Sequence, residues 1–281
     1  MTPGMYPEQD VTMLSIQTNV ASLTAQQNLN VNSDFQSQTI TRLTSGYRIN
    51  ESSDDAAGLV VANQYRSNIA ELTQGVRNAN DGASTLQIID GGLSNISKIL
   101  DRLKTLATQS ASDTFTGSRT TLNAEYQDML GEITRQSDNI GLGSGNSTGK
   151  KSLNVYIGGN TAGVTVDLSS SQVDAGTLGL ATAIDSATNA KTAIGEIGTA
   201  VSNLGVVQGV VGSSENKLKY ATALANSQIS SFSAAQSRIR DADMAAEAAN
   251  LTKAQVLQQA SLAAMAQANA APQGVLSLLK G

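Results

Sequence analysis

Residues 52–110 read SSDDAAGLVVANQYRSNIAELTQGVRNANDGASTLQIIDGGLSNISKILDRLKTLATQS. Apolar side chains recur at Ala62, Tyr65, Ile69, Leu72, Val76, Ala79, Ala83 and Leu86. The steps alternate between three and four, which is the spacing of a heptad stripe along a helix. Near Ile89 the stripe slips by one residue, then continues through Leu93, Ile96, Leu100, Leu103 and Ala107. Asp90, Gly91 and Gly92 mark the slip, and each helical glycine costs about 1 kcal/mol. Ser52 and Asp55 have the spacing of a capping box, and Asp54 and Asp55 suit the positive end of a helix dipole. The stretch therefore predicts one helix from about Asp54 to Ser110, about 85 Å long at 1.5 Å per residue. Such an element belongs to a rod.

Downstream, a polar break at Ser112–Thr121 precedes a second helical pattern near Leu122–Asn139. From Gly141 to Gly149, Gly, Ser, Asn and Thr dominate. Leu153, Val155 and Ile157 then alternate with polar residues, Gly158-Gly159-Asn160 interrupts, and Val164, Val166 and Leu168 alternate again. That pattern is a β-hairpin. Helical spacing returns from Ile184 to Leu204 and resumes after Gly212 through Leu218, Ala221 and Ala225 towards Phe232. A final Ala-rich helix is expected from about Asp243 to Ala270, ended by Pro272. The expected fold is mainly α: a long antiparallel helical rod or coiled coil built from both chain ends, with a small β-hairpin in the middle.

The two ends share an unusual texture. Between Val11 and Thr41 the only charged residue is Asp34, and from Asn250 to Gly281 there are only Lys253 and Lys280. A solvated helix normally carries a charged face. Polar faces of Gln, Asn, Ser and Thr can instead be buried against protein without stranding charges. The ends thus read as surfaces for assembly, with Leu23, Leu29, Leu251, Leu257, Leu262, Met265 and Leu278 as the side chains that would pack there. An intramolecular bundle accounts for the stripe in 52–110, but leaves the uncharged ends without a role.

Composition narrows the function. Aromatics make up 3% of the 281 residues and there is no Trp, so the chain suits thin helical packing better than a thick core. With no His and no Cys, thiol and imidazole catalysis and nearly all zinc chemistry are excluded. A net charge of −5 argues against nucleic acid. No apolar run looks long enough to span a bilayer, and Met1–Met13 lacks the apolar segment of a signal peptide. The glycines at 58, 82, 91 and 92 follow no strand and make no phosphate loop. Alternating charges at Arg238, Arg240, Asp241 and Asp243 read as a cap and ion-pair cluster. No catalytic residue, cofactor or metal is expected. Asn146-Ser147-Thr148 fits a glycosylation sequon formally.

The resemblance that gathers these features lies in ordered short motifs. Ile16-Gln17-Thr18-Asn19, Ser22-Leu23, Ala25-Gln26 and Asn28-Leu29 open the series. Arg42-Leu43, Ser45-Gly46, Arg48-Ile49-Asn50 and Asp54-Asp55-Ala56-Ala57-Gly58 follow, then Ser67-Asn68-Ile69 and Arg77-Asn78-Ala79-Asn80-Asp81-Gly82. Near the other end stand Ser237-Arg238-Ile239-Arg240-Asp241-Ala242-Asp243-Met244, Gln258-Gln259-Ala260, Ala266-Gln267-Ala268-Asn269 and Val275-Leu276-Ser277-Leu278-Leu279. In this order, over roughly residues 14–140 and 205–281, they resemble the bacterial flagellins.

The resemblance implies the structural subunit of an extracellular flagellar filament, self-assembling through its terminal helices into a hollow propeller and exported without a cleaved signal. It implies filament-core helices at 13–43 and 240–281, a helical rod at 44–140 and 181–239, and a hairpin region at 141–180. Flagellins usually begin near Met13, so residues 1–12 read as an extension of unclear origin or as a misassigned start. No large outer domain follows the short middle. Implied partners are further copies of the chain, an export chaperone, the type III export apparatus, and filament cap and junction proteins, with neither nucleic acid nor membrane. A host flagellin-sensing Toll-like receptor is a further implied partner, with Arg102, Leu106 and Glu125 at the matching positions. Asp101 and Thr105 depart from the receptor-activating pattern, and Asp101 could compete for Arg102. The plainer reading makes Leu103, Leu106 and Ala107 core positions. A hook–filament junction protein is the nearest rival. A secreted enzyme on the same scaffold is disfavoured by the missing His and Cys.

Overall fold

In the computed structural model, residues 18–144, 152–159 and 163–280 are described, with side chains as far as Pro272. The expectations for residues 1–12, for the sequon at Asn146 and for the side chain of Leu278 lie outside this set. Five helices and two strands follow one another: α1 (Val20–Ser45), α2 (Ala56–Ala111), α3 (Arg119–Asn139), β1 (Ser152–Val155), β2 (Val164–Asp167), α4 (Ala187–Arg240) and α5 (Met244–Lys280). Two compact units result, residues 65–234 and residues 1–64 with 235–281.

In the unit of residues 65–234, the heptad stripe of α2 is its buried face. Leu72, Ala79, Leu86, Ile89, Leu93, Ile96, Leu100, Leu103, Leu106 and Ala107 form one hydrophobic cluster with residues of α3, the hairpin and α4. The phase slip leaves α2 unbroken. At Gly92 an added Cβ would overlap the Ile140 side chain, so the glycine permits close approach of the segment after α3 and that packing offsets its helical cost.

α4 runs antiparallel to α2: the Tyr65 and Phe232 rings stack at 5.5 Å, while Ser110 Oγ at the far end of α2 donates to the Ile184 carbonyl. Gly205 and Gly212 do not interrupt α4, contrary to the two-part pattern read from sequence, because Leu204, Val207 and Val211 bury themselves in the cluster around them. The same helix contains an 18-residue window of mean hydropathy 1.2, long and apolar enough to cross a membrane by length and composition alone. That window corrects the reading of short apolar runs; the helix's inward side chains are part of the protein core.

α3 starts at Arg119, slightly earlier than the pattern suggested, because Ser118 accepts from the Thr121 N–H as its cap. Arg119 then reaches back to the Ser110 and Ser112 carbonyls, both at 3.0 Å, satisfying groups left bare by the end of α2. The hairpin pairs antiparallel, with Leu153 opposite Val166 and Val155 opposite Val164. Its Ile157 carbonyl lies so close to Gly75 that any side chain there would overlap it. Tyr156 Oη donates to Glu71 Oε1 at 2.7 Å, which fastens the hairpin to α2.

In the other unit, α1 and α5 lie side by side and antiparallel, joined by bonds from Asn19 to Ala268, Asn32 to Ser261 and Arg42 to Glu247. α5 does not stop at Pro272. The helix carries the proline inside it.

Candidate assembly surface

The seam between α1 and α5 is built from side chains that sequence reasoning would not choose for a core. On α1 the covered or half-covered positions that repeat along one face are Ser22, Ala25, Leu29, Asn32, Gln36, Thr39 and Leu43, with Phe35 and Arg42 half-covered beside them; on α5 they are Glu247, Leu251, Ala254, Gln258, Ser261, Met265 and Ala268, with Asn250 and Pro272 also half-covered. Both series step by three and four, the spacing of a coiled-coil seam. Most members are small or polar. Leu29, Leu43, Leu251 and Met265 are the exceptions, and further large apolar side chains stand outside the seam: Val20 and Leu23 are each 64% exposed and Val31 60%, at spacings that place them away from α5. On α5, Val256 (60%) faces away from α1, and Leu257 and Leu262 flank the seam on opposite sides.

The six expected packing residues whose side chains are described therefore divide. Leu29, Leu251 and Met265 help line the intramolecular seam, while Leu23, Leu257 and Leu262 face outward. Val20, Val31 and Val256 were missed. Their heptad positions carry the signal, but it becomes readable only once the partner helix fixes which face is the seam.

A polar junction closes the unit beyond the C-terminal end of α1. Gly46, at φ 73°, takes the left-handed conformation that ends the helix and returns a bond to the Arg42 carbonyl. The chain then crosses the α4–α5 connection, with Arg48 N–H donating to the Arg240 carbonyl and Ala242 N–H to the Gly46 carbonyl. The Arg240 guanidinium lies over the Tyr47 ring at 4.2 Å. Asp54 collects bonds from the Asn50 and Glu51 N–H groups and from Gln38 and Arg42 of α1. Those backbone donors, with lesser help from Gln38 and Arg42 and against the opposing effect of desolvation, hold its carboxyl down at about 2. Arg42 also faces Glu247 at 3.8 Å, although Arg42 Nε and Glu247 Oε2 remain buried without hydrogen-bond partners.

The caps differ in detail from the sequence expectation. Asp55 caps α2 by accepting from the Gly58 N–H at 2.8 Å, so the cap is Asp55 rather than Ser52. Asp243 caps α5 through the N–H groups of Ala245 and Ala246. The charged cluster at 238–243 thus works through a cap, a ring contact and backbone bonds. The ion pairs of the junction run through Arg42 instead.

On the other unit, Arg102 Nε and Nη2 both reach Glu125 Oε1, at 3.1 and 2.5 Å. Its partner is Glu125, not the neighbouring Asp101. Leu106 is 1% exposed, in line with the plainer reading of Leu103, Leu106 and Ala107 as core. Among the described residues no group of His, Cys, Asp or Glu is placed to hold a metal ion.

An apolar surface on a helix pair formed by both chain ends is what a self-assembling subunit needs, and comparison with known proteins is decisive here. The N-terminal helical region of bacterial flagellin matches residues 16–143, and its C-terminal helical region matches residues 194–279. The chain belongs to the bacterial flagellin family. A flagellin of Halalkalibacterium halodurans is 33% identical over 94% of this chain and 99% of its own length. A Listeria monocytogenes flagellin is 31% identical over 95% and 99%, and flagellin FlaB2 of Treponema pallidum 31% identical over 94% and 99%. This flagellin is therefore a structural subunit of an extracellular flagellar filament and not an enzyme. It is a short form, with a small hairpin in place of large outer domains.

Proposed function

We propose that the outward faces of α1 and α5 are the surface through which copies of this flagellin pack into the filament core. The observation that carries this reading is the distribution at the helix pair: mostly small and polar residues in the seam beside Leu29, Leu43, Leu251 and Met265, with Val20, Leu23, Val31, Val256, Leu257 and Leu262 left outside it. Large apolar side chains left in water on two neighbouring helices mark a contact surface. Residues 13–43 and 240–281 form the core layer in this reading, and residues 44–140 and 181–239 form the surrounding rod, with the hairpin region 141–180. Export without a cleaved signal, and handling by a chaperone, the type III apparatus, and cap and junction proteins, follow from the family resemblance. The test is truncation. Removal of residues 245–281 should abolish filaments in electron micrographs, while a fragment of residues 54–232 stays helical and monomeric. Filaments formed by the truncated chain would refute the reading.

A second reading concerns the Arg102–Glu125 pair, whose side chains keep 53% and 39% of their exposure. By the family resemblance these positions correspond to the Toll-like receptor contact, and an Arg whose two nitrogens reach one carboxylate oxygen is a charge-assisted polar anchor. With Leu106 buried, the contact rests on the polar pair alone, so weakened binding is expected. Arg102→Ala should reduce binding of the monomer to the receptor ectodomain. Tight binding unaffected by that change would place the contact elsewhere.

A further inference from the structure

We propose that Asn19 sets the register of the α1–α5 pair by supplying the hydrogen bond that Pro272 withholds from the Ala268 carbonyl. A proline has no N–H, so the carbonyl four residues before it loses its helical donor. In α5 that carbonyl belongs to Ala268, and Asn19 Nδ2 donates to it from across the seam at 2.7 Å. The other half of the same amide is also engaged: Asn19 Oδ1 accepts from the Ser22 N–H at 3.1 Å and caps α1. Turning the amide over would set donor against donor and acceptor against acceptor, so both bonds hold it in one orientation. One turn along, the Ser22 hydroxyl donates to Asn269 Oδ1 at 2.7 Å. Further on, Asn32 Nδ2 donates to Ser261 Oγ at 2.8 Å.

The seam alone specifies register weakly. Its small and polar side chains recur every seven residues, so, away from the Arg42–Glu247 pair and the backbone bonds of the junction, a one-heptad offset re-creates much of the same packing. Pro272 breaks that degeneracy because it is the only proline after Pro7. In the observed alignment the amide that caps α1 meets the carbonyl that Pro272 leaves without its helical donor, whereas a slide of one heptad would bring Gln26, which caps nothing, to that place. A displaced α5 takes the half-buried Ala268 carbonyl away from the Asn19 amide, and an acceptor that loses its partner as the seam is covered is costly. Register matters because it determines which outward side chains of α1 and α5 share a face. The inference thus rests on the assembly reading given above.

The experiment measures the critical concentration for polymerisation of the full chain and four variants: Asn19→Ser, Pro272→Ala, the double variant, and Leu23→Asp. Serine keeps the capping acceptor but is too short to reach α5. Asn19→Ser is expected to raise the critical concentration on the order of ten-fold, the equivalent of one interface hydrogen bond. In the Pro272→Ala background the same change should cost about two-fold or less, because residue 272 now feeds the Ala268 carbonyl itself. An equal effect of Asn19→Ser in both backgrounds would overturn the proposal. So would loss of polymerisation by Pro272→Ala alone, since restoring an N–H there removes a demand. If Asn19→Ser does nothing while Leu23→Asp blocks filaments, the register role fails and the assembly surface stands. If neither changes polymerisation, the surface fails and the register role with it.

Discussion

Leu262 offers the sharpest separation between folding of the subunit and its assembly. In the single chain it is 48% exposed on the flank of α5. Leu262→Asp therefore removes little that the isolated subunit uses, and the intrinsic helix penalty is only about 0.5 kcal/mol. In a filament core the same position is covered. Half of a leucine side chain withheld from burial forfeits about 1 kcal/mol. An unpaired carboxylate in an apolar contact adds about 3 kcal/mol or more. The sum of about 4 kcal/mol per subunit corresponds to a critical concentration roughly a thousand-fold higher, at about 1.4 kcal/mol per decade. The matched control is Ser170→Asp on an exposed loop position, for which about two-fold or less is expected. Pelleting assays across a concentration series give both numbers, and circular dichroism melting of the dissociated subunit should coincide for all three proteins. Equal polymerisation of the two variants would refute the reasoning. A lowered melting temperature of the Leu262→Asp subunit would show instead that the residue serves the fold.

Asp54 should make the junction acid-sensitive. Its carboxyl is held near 2 against an ordinary value of 3.8. The stabilisation is thus complete above about pH 4 and is lost as pH falls through 2, amounting to about 1–2 kcal/mol after allowance for solvent screening. The thermal midpoint of wild-type filaments should exceed that of Asp54→Asn filaments by a constant margin above pH 5, and the margin should vanish near pH 2; a margin independent of pH would contradict the assignment. Tyr126 is fully buried with its hydroxyl unpartnered, and burial, with the nearby Glu196 charge, pushes that phenol up to about 12. Tyr126→Phe should raise subunit stability by about 1 kcal/mol and abolish the alkaline loss otherwise expected as pH rises from 10 through 12; a destabilised variant by urea titration would reveal a bond that the structure does not contain.

The long helix, its buried stripe and the hairpin were legible because each repeats one period over many residues. Leu93, Ile96, Leu100 and Leu103 are all at 0% exposure, where the shifted heptad placed them. Glycine and proline misled for the same physical reason: their local cost is real but tertiary contacts offset it. Gly205 and Gly212 lie within a helix in which Leu204, Val207 and Val211 are buried, and Pro272 lies opposite an amide 253 residues earlier in the chain, a partner that no local window contains. The proposed assembly surface was half legible. The lack of charge at both ends pointed to it, yet residue type alone could not separate Leu29, which lines the seam, from Leu23, which faces outward. Face assignment needs the partner helix.

A helical reconstruction of filaments polymerised from the full chain tests the central claim most directly. The account predicts α1 and α5 at the innermost layer, with Val20, Leu23, Val31 and Val256 buried between neighbouring subunits and Asn19 still bonded to Ala268 within each. Filaments in which those four side chains face solvent, or in which α1 and α5 lie on the outer surface, would contradict it.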